Sequence, residues 1–223
     1  MMTRAKAVVS WSSGKDSAFA LWETLRSGEL VVVGLLTTIT KSFGRVSMHG
    51  VREKLLDQQA AAAGLPLRKV EIPYPCPNEV YEEAMATAIA SMRAHGVSRL
   101  VFGDLFLEDI RAYREAKLAS TGIDPVFPLW HRDTHELAQE MIRSGLEAHV
   151  VCVDPKKMSR RFAGRRFDLS FLDDLPPSVD PCGENGEFHT FVTAGPMLSR
   201  PIPVTPGEVV ERDGFVFADL IPQ

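Results

Sequence analysis

Five glycines divide most of this chain into a repeating series of helix-like and strand-like segments. Gly28, Gly64, Gly96, Gly122 and Gly145 each follow a helix-like segment and precede an apolar run within a few residues. Glycine is favoured just after a helix because it adopts the left-handed backbone that closes the last turn. Strands that alternate with helices in this way predict an α/β fold, with a mostly parallel sheet covered by helices on both faces.

The apolar runs and the helical periodicities set the expected elements. After an opening strand at residues 5–10, strands are expected at residues 31–36, 67–72, 100–102, 125–127 and 149–153. Helices are expected between them at residues 51–63, 79–94, 110–120 and 134–144, the last opening on a capping box of Asp133 and Glu136. These strands are expected to form the mostly parallel sheet, in which ligands bind beyond the carboxyl ends of the strands.

A turn of small and polar residues joins the first strand to the first helix. Residues 12–17 read Ser-Ser-Gly-Lys-Asp-Ser. Backbone N–H groups and the helix dipole make such a turn an anion site, and Lys15 with the serine hydroxyls suits phosphate oxygens. An ordinary Ser/Gly turn, with Asp16 capping the helix, is the alternative.

Two kinds of phosphate loop can be compared with this turn. A Walker-type loop requires Gly at position 9 and Ser or Thr at position 16, where the chain has Val9 and Asp16, so that assignment fails. The turn resembles the S-G-G-x-D-S loop of ATP pyrophosphatases, which cleave ATP between the α and β phosphates. Ser13 stands where that pattern has its first Gly, so the backbone there must tolerate a Cβ atom.

The overall composition limits the class of protein. With 223 residues, 45% hydrophobic and 24% charged, the chain resembles a globular protein and can bury a substantial core. No apolar run reaches the roughly 20 residues that span a bilayer, and no signal peptide is evident, so we expect a cytoplasmic protein without a membrane partner. The net charge of −4 makes a nucleic-acid partner unexpected. The three cysteines are too widely separated for a CxxC pair.

Charged residues follow the predicted strand at residues 100–102. Asp104 comes directly after Gly103, where a carboxylate can hold Mg²⁺ together with substrate phosphates. Arg111 suits a phosphate or a carboxylate. Ion pairs along a helix are the alternative for the charges from Glu108 to Glu115, less so for Asp104.

Two further polar runs are candidates for a site. His49 lies in Ser-Met-His-Gly ahead of a helix and is equally well explained by capping or packing. Residues 180–190 place Glu184, Glu187 and His189 between glycines and next to Phe188. We interpret this second run as a loop anchored on the core that aims its ionisable groups at a cleft, because rigid scaffolds carry sites on such loops.

The alternation ends after about residue 154. A basic stretch at residues 156–166 is either a solvated helix face or a patch for phosphate or an acidic partner. Asp213-Gly214 between two apolar runs predicts a β-hairpin. We therefore divide the chain into an ATP-binding domain at residues 1–154 and a small mixed α/β C-terminal appendage at residues 155–223.

These motifs together resemble the diphthine–ammonia ligase (diphthamide synthetase) family of pyrophosphate-loop ATP-binding proteins. The resemblance covers nearly the whole chain, fading after about residue 203, and the turn at residues 12–17 defines only the superfamily. Ser13 and the run at residues 47–52 are more similar to bacterial members. The matching motifs are residues 12–17, 47–50, 103–104 with Arg111 and Glu115, 128–130, and above all the Gly-Glu-Asn-Gly-Glu-Phe-His-Thr run at residues 183–190.

The resemblance implies a fold of the adenine-nucleotide α-hydrolase (Rossmann-like) type and an ATP-dependent amidation. In that reaction a substrate carboxylate attacks the α-phosphate, Mg-pyrophosphate leaves, and ammonia displaces AMP. The implied catalytic residues are Lys15, Asp104, Glu184, Glu187 and His189, and the implied Mg²⁺ ligands are Asp16 and Asp104. The implied ATP-binding residues are Ser12, Ser13, Gly14, Lys15, Asp16, Ser17, Thr37, Thr38, His49, Gly103 and Arg111.

The expected partners are ATP, free ammonia and a carboxylate acceptor bound by residues 155–223. That acceptor is diphthine on translation elongation factor 2 or an unknown small molecule, and a homodimer is an open alternative. A tRNA-modifying enzyme of the same superfamily is a rival, but it usually needs catalytic cysteines or CxxC pairs and a basic extension. A non-catalytic nucleotide-binding protein is the other rival, and it would not need Glu184, Glu187 and His189.

Overall fold

The computed structural model describes residues 4–40, 45–46 and 50–223 of the chain, with residues 45 and 46 as backbone. Its strands are β1 Lys6–Ser10, β2 Val31–Thr40, β3 Arg45–Val46, β4 Leu67–Ile72, β5 Val97–Val101, β6 Asp124–Val126, β7 Glu147–Val153, β8 Phe188–Ala194, β9 Val204–Arg212 and β10 Phe215–Pro222. Its α-helices are α1 Lys15–Ser27, α2 Glu53–Ala63, α3 Asn78–Ala94, α4 Glu108–Leu118, α5 Thr134–Arg143 and α6 Leu169–Asp173. None of the helices in these ranges is long and apolar enough to cross a membrane.

A parallel sheet forms the first part of the molecule, as the alternation predicts. Its strands lie in the order β4-β2-β1-β5-β6, and the short β3 pairs antiparallel with the end of β2. The chain moves outward from β1 to β2 and β4 and then crosses to β5 on the other side of β1. The carboxyl ends of β1 and β5 therefore meet at the switch point, where sheets of this kind bind ligands.

Helices cover both faces of this sheet, which confirms the predicted fold class. Alternate residues of β1 belong to different apolar clusters: Ala7 and Val9 pack with α1 and α2, whereas Val8 packs with α3 and with Leu118 of α4. A strand buried on both faces explains why residues 5–10 carry a nearly continuous apolar run.

The second part is a separate antiparallel sheet with the strand order β8-β7-β10-β9. The prediction that the strand at residues 149–153 joins the parallel sheet is wrong, because β7 pairs antiparallel with β8 and β10. Val150, Val151 and Val153 are buried. Such a strand has the same apolar run in either kind of sheet, so its composition cannot show the direction of its partners.

The predicted punctuation of the chain is confirmed. All five glycines that close the helical segments have positive φ angles, between 65° and 86°. The Asp133 side chain accepts a hydrogen bond of 2.9 Å from the Glu136 N–H, as a capping box requires. The predicted hairpin joins β9 to β10, and Asp213 and Gly214 have φ angles of 53° and 80°. Two positive φ angles are typical of the tightest hairpin turns.

The two sheets share one hydrophobic core. The cluster that contains Phe19 of α1 and Leu55 of α2 also contains Phe162, Phe171 and Phe188 from the second part. The rings of Phe162 and Phe171 meet edge to face at 5.7 Å, and those of Phe171 and Phe188 at 5.2 Å. The division at residue 154 remains a prediction, although the strand that ends there pairs within the second sheet.

Candidate functional site

The turn at residues 12–17 lies between the carboxyl end of β1 and the first turn of α1. Its serines are bonded to one another: the hydroxyls of Ser12 and Ser17 are 3.1 Å apart, and Ser17 donates to the Gly14 carbonyl at 3.0 Å. The Gly14 N–H donates to the Ser12 hydroxyl at 3.3 Å. These bonds hold the turn at a helix N-terminus, which is a general anion-binding arrangement.

Ser13 stands where the S-G-G-x-D-S pattern has glycine, and it adopts a left-handed backbone conformation. Its φ angle is 73°, and the residue is fully buried. Its carbonyl accepts hydrogen bonds from the Val192 N–H at 3.0 Å and from the Gln59 amide at 3.1 Å. These two hydrogen bonds offset part of the free-energy cost that a residue with a Cβ atom has in the left-handed conformation.

Gln59 is a residue of this site that the sequence did not reveal. It is fully buried on α2, where its amide also donates to the Val192 carbonyl at 2.7 Å. Its side-chain oxygen accepts from the Trp11 indole at 3.0 Å. One side chain thus connects the end of β1, the turn and β8. A glutamine on an amphipathic helix looks like a surface residue, so only the apolar neighbours Leu55, Leu56 and Ala60 hinted at burial.

Residues 183–190 lie directly against the turn. The Lys15 N–H donates to the Thr190 hydroxyl at 3.0 Å, and a Cβ atom on Gly14 would lie 3.2 Å from the Thr190 carbonyl oxygen. The Lys15 ammonium bonds both oxygens of Asp16, at 3.0 and 2.9 Å, and the Cys182 carbonyl oxygen. The phosphate-type turn and the specific motif are therefore parts of one site, although Lys15 and Thr190 are 175 positions apart in the chain.

Gly103 brings the end of β5 against the same turn. A Cβ atom on Gly103 would lie 2.7 Å from the backbone carbon of Asp16 and 2.8 Å from the Ser17 nitrogen, so only glycine allows this approach. Asp104 follows immediately, and Arg114 binds its two oxygens at 2.6 and 2.9 Å. Arg114 in turn lies over the Phe102 ring at 4.3 Å. From the sequence, Arg114 was accounted for by an ion pair along its helix and was not among the predicted site residues.

Arg111 lies on a small aromatic shelf. Its guanidinium is 4.7 Å from the Trp130 ring centre and 5.0 Å from that of Phe127. Its Nε donates to Glu115 at 2.7 Å, which is the helix ion pair considered as the alternative from the sequence. Rings and carboxylate together fix the direction of the guanidinium, whose side chain is 34% exposed.

Glu184 connects the specific motif to the loop after β5. Its Oε1 accepts a 2.7 Å hydrogen bond from the Leu105 N–H. Burial and, to a smaller extent, the nearby carboxylates of Asp16 and Asp104 raise the pKa of Glu184, against the hydrogen bond from Leu105, to about 7 in total. A carboxyl with a pKa near neutrality is suited to proton transfer.

Glu187 is placed differently from the expectation of an ionisable group aimed at a cleft. It is 3% exposed, and its Oε1 accepts from the Asp180 N–H at 3.1 Å and from the Asn185 amide at 3.2 Å. Its Oε2 is buried and has no hydrogen-bond partner among the described residues. These hydrogen bonds stabilise the loop at residues 180–187, to which Glu187 itself belongs. His189 is half-buried on β8, opposite Cys152 of β7.

The predicted adenine-contacting residues lie beside the turn. Thr37 and Thr38 follow Leu36 on β2, and the Leu36 carbonyl accepts from the Trp11 N–H at 2.7 Å, one residue before Ser12. Thr37 is buried, and its hydroxyl has no partner among the described residues. His49, the remaining predicted contact, lies outside the described residues.

A magnesium ion fits the chemistry of this site but has no complete protein cage. Within residues 4–40 and 50–223, no three side chains of the metal-binding types cluster tightly enough to hold a metal. Asp16 and Asp104 supply carboxylate oxygens beside the turn, and Asp16 keeps 28% of its side chain exposed. Mg²⁺ commonly takes one or two carboxylates and completes its shell with phosphates and water, so two carboxylates suffice.

The basic stretch at residues 156–166 is largely engaged within the fold. Arg165 pairs with Asp174 at 2.6 Å and Arg166 with Glu147 at 2.7 Å. Lys157 donates to the Asn185 carbonyl at 2.5 Å. These contacts weigh against a free patch for phosphate or an acidic partner, which was the alternative to a solvated helix face.

The same two halves are found in known proteins. The family model described as diphthamide synthase N-terminal domain matches residues 5–125, and the one described as diphthamide synthase C-terminal domain matches residues 133–217. The chain belongs to the diphthamide synthase family. Curated relatives named diphthine--ammonia ligase are 25% identical in cattle, 24% in human and 26% in zebrafish. Each of these alignments covers 94% of this chain, and 86%, 86% and 90% of the respective relative.

The family membership confirms the resemblance and the class of enzyme. The chain is an ATP-dependent ligase of this family, with the nucleotide α-hydrolase fold. The matched N-terminal model contains the turn at residues 12–17, Gly103 and Asp104, and the C-terminal model contains Glu184 and Glu187. The site is thus assembled from both matched parts.

Proposed function

We propose that this enzyme joins ammonia to a substrate carboxylate through an acyl-adenylate. A carboxylate oxygen of the acceptor attacks the α-phosphorus of ATP, and the bond between that phosphorus and the bridging oxygen to the β-phosphorus breaks. Pyrophosphate leaves with the bonding electrons. Ammonia then attacks the acyl carbon, the carbon–oxygen bond to AMP breaks, and one proton is released from nitrogen.

The observation that carries this proposal is the contact between the turn and the motif at residues 183–190. Thr190 bonds the backbone of Lys15, and Glu184 bonds the loop after β5 beside Asp104. A protein that only binds nucleotide has no need for these groups next to the phosphate turn. Acyl transfer, by contrast, requires acceptor-binding and proton-transfer groups within reach of the α-phosphate.

The turn provides the place for the departing pyrophosphate. The amide of Ser13 and the N-terminus of α1 favour negative charge beside the hydroxyls of the turn. Asp16 and Asp104 would hold Mg²⁺, which neutralises charge on the phosphates when bound. Thr37 and Thr38 on β2 lie where the adenine would be received.

Glu184 is suited to take the proton from the attacking nitrogen. With a pKa of about 7 it is substantially ionised at neutral pH and still basic enough to accept a proton. At a fixed concentration of free ammonia, amide formation should therefore rise with pH through about 7, because the ionised carboxylate is the active form. Arg111 on its aromatic shelf is oriented for a carboxylate or a phosphate.

The acceptor is a carboxylate bound mainly by the C-terminal part, beside Glu184 and His189. The relatives are named for diphthine and ammonia, so diphthine on translation elongation factor 2 is the first acceptor to test, and a small carboxylic acid the second. Free ammonia is the simplest nitrogen source, and a cytoplasmic setting suits both substrates.

The test is product analysis with ATP, Mg²⁺, ammonium chloride and either diphthine-bearing elongation factor 2 or a fractionated small-molecule extract. We expect AMP and pyrophosphate in equal amounts, with acceptor labelled in its carboxylate by ¹⁸O transferring one label to AMP. ADP and phosphate would refute adenylation. ATP binding without turnover in any acceptor fraction would instead favour a non-catalytic nucleotide-binding protein.

Asp16→Ala tests the metal assignment in the same assay, and Asp213→Ala is its control. It removes a predicted metal ligand from the turn, so AMP release should fall by at least about a hundredfold. Asp213→Ala, in the exposed hairpin between β9 and β10, should retain full activity. Full activity in Asp16→Ala would place the metal elsewhere.

A further inference from the structure

The side chain of Lys15 points into the protein and not into open space above the turn. Lys15 is 1% exposed, which is unusual for a lysine. Its ammonium bonds Asp16 Oδ1 at 3.0 Å, Asp16 Oδ2 at 2.9 Å and the Cys182 carbonyl oxygen. An ammonium has three N–H donors, so these three acceptors account for all of them.

Aromatic rings close the remaining sides of this ammonium. The centre of the Phe188 ring is 5.2 Å from Lys15 Nζ, and that of the Phe167 ring is 5.6 Å away. Both rings belong to the buried aromatic cluster of the second part. A cation held between ring faces and three oxygens cannot reach a phosphate without breaking this set of contacts.

The ammonium is also surrounded by carboxylates. Asp16 bonds it directly, and Glu184 is close enough to act on it electrostatically. Removing this charge would leave neighbouring carboxylates to repel one another across the contact between the turn and residues 180–184.

We propose that Lys15 is a positioning residue that fixes the carboxylate of Asp16 and docks residues 180–184 on the turn, and that it is not a ligand of the ATP phosphates. The proposal deepens the function proposed above and rests on Asp16 as a metal ligand. The S-G-G-x-D-S pattern agrees with it, because Lys15 occupies the variable position, where a required phosphate ligand is not expected.

The thiol of Cys182 reports this docking directly. Cys182 is 1% exposed, and its backbone carbonyl accepts the hydrogen bond from the Lys15 ammonium. With Cys76→Ser and Cys152→Ser in the background, the reaction of the protein with 5,5′-dithiobis(2-nitrobenzoate) measures exposure of Cys182 alone. Lys15→Met keeps the length of the side chain without its charge, and we expect it to increase the reaction rate at least about tenfold.

Lys117→Met is the matched control, because Lys117 makes an exposed ion pair with Glu82 far from the turn. It should leave the Cys182 rate unchanged. Melting temperatures of both variants separate local release of residues 180–184 from global unfolding. A Cys182 rate in folded Lys15→Met equal to that of the parent would overturn the docking role.

Adding ATP and Mg²⁺ to the protein with Lys15 intact gives opposite results for the two roles. A positioning lysine keeps its bond to Cys182, so the thiol stays protected or reacts more slowly. A phosphate ligand must leave the Cys182 carbonyl, so the thiol would become more reactive. That second result would overturn the proposal without any variant at position 15.

Calorimetric ATP binding supplies the second readout. In Lys15→Met, binding of ATP without Mg²⁺ should stay within about threefold of the parent, whereas the gain in affinity that Mg²⁺ provides should fall about tenfold, as for lost partners of metal ligands. A loss of about tenfold or more without Mg²⁺ would indicate a phosphate contact. Neither readout requires turnover, so the proposed amidation could fail while this inference holds.

Discussion

Ser13 shows how one residue can keep a strained backbone for the benefit of a binding turn. Its φ angle of 73° costs a non-glycine residue roughly 1–2 kcal/mol, and its buried hydroxyl has no partner among the described residues. Ser13→Gly should therefore stabilise the protein by about 0.5–1 kcal/mol, after the greater freedom of glycine in the unfolded chain is subtracted. Urea unfolding would measure the gain.

Ser13→Ala is the control that separates the two costs. It keeps the Cβ atom and the strained φ angle but removes the unpartnered hydroxyl. The difference in unfolding free energy between the alanine and glycine variants then reports the backbone alone. A glycine variant less stable than the alanine variant would show that the left-handed conformation of Ser13 is not strained here.

Glu184 makes the stability of the protein depend on pH in a particular direction. Its folded pKa of about 7 lies above the ordinary value, near 4.3, that it has in the unfolded chain. The folded state therefore holds a proton that the unfolded state releases between these values, so this contribution is complete below pH 4 and is lost as the pH rises through 7.

The comparison of the parent with Glu184→Gln isolates this effect. The variant keeps the acceptor for the Leu105 N–H but cannot ionise. Its free energy of unfolding relative to that of the parent should therefore increase by roughly 2 kcal/mol between pH 4.5 and 7.5, allowing for partial exposure of Glu184. Urea midpoints at the two pH values measure it. Glu83→Gln, at an exposed position on α3, is the control and should show no such change. If the stability of Glu184→Gln depended on pH in the same way as that of the parent, the raised pKa of Glu184 would be contradicted.

At the scale of elements, α2 positions the phosphate turn through Gln59. Its three hydrogen-bonded partners are Trp11, which directly follows β1, Ser13 of the turn and Val192 of β8. Gln59→Met would leave two carbonyls and an indole N–H buried without this partner, so we expect a loss of about 2–4 kcal/mol in unfolding free energy. ATP affinity should fall about tenfold, because the turn loses its support.

Gln58→Met tests whether that loss is specific. Gln58 is the neighbour of Gln59 on α2, and its side-chain oxygen accepts no hydrogen bond among the described residues. Its replacement removes a buried oxygen that has no partner, so it should leave the unfolding free energy unchanged or raise it. Equal losses in the two variants would show that α2 tolerates methionine poorly at either position, and that Gln59 has no special part in holding the turn.

The elements also show what a sequence can and cannot predict. Local signals were sufficient for α2, α3 and α5, because helical periodicity, Gly64 and the Asp133 cap act within a few residues. Local signals were not sufficient to predict which strands pair, because β7 carries an apolar run that suits either sheet. For the site, the motifs predicted the turn, Gly103 and Glu184. Gln59 was missed because its partners Ser13 and Val192 lie 46 and 133 positions away, which no local pattern specifies.

At the scale of the whole molecule, the phosphate turn depends on the C-terminal part. Ser13 and Lys15 bond β8, and Glu184 bonds the loop after β5. The buried cluster beneath them joins α1 and α2 to Phe188, Phe191 and Val216. In the proposed reaction, this continuity would hold the acceptor-binding part of the protein next to the ATP-binding part.

This dependence predicts how a shortened chain behaves. A fragment of residues 1–154 ends with β7, but both neighbours of that strand, β8 and β10, would be missing, and Ala148, Val150 and Val153 would lose their cover. We expect this fragment to bind 1-anilinonaphthalene-8-sulfonate strongly and to unfold in urea without a cooperative transition, whereas the full chain unfolds in one.

A fragment of residues 1–146 is the control, because it removes β7 with its unpaired edges. It should bind less dye than the 1–154 fragment yet still lack ATP affinity, since Thr190 and Val192 no longer hold the turn. Cooperative unfolding and ATP binding by the 1–154 fragment would contradict the shared core. That result would instead make residue 154 a true domain boundary, with the nucleotide site complete on its N-terminal side.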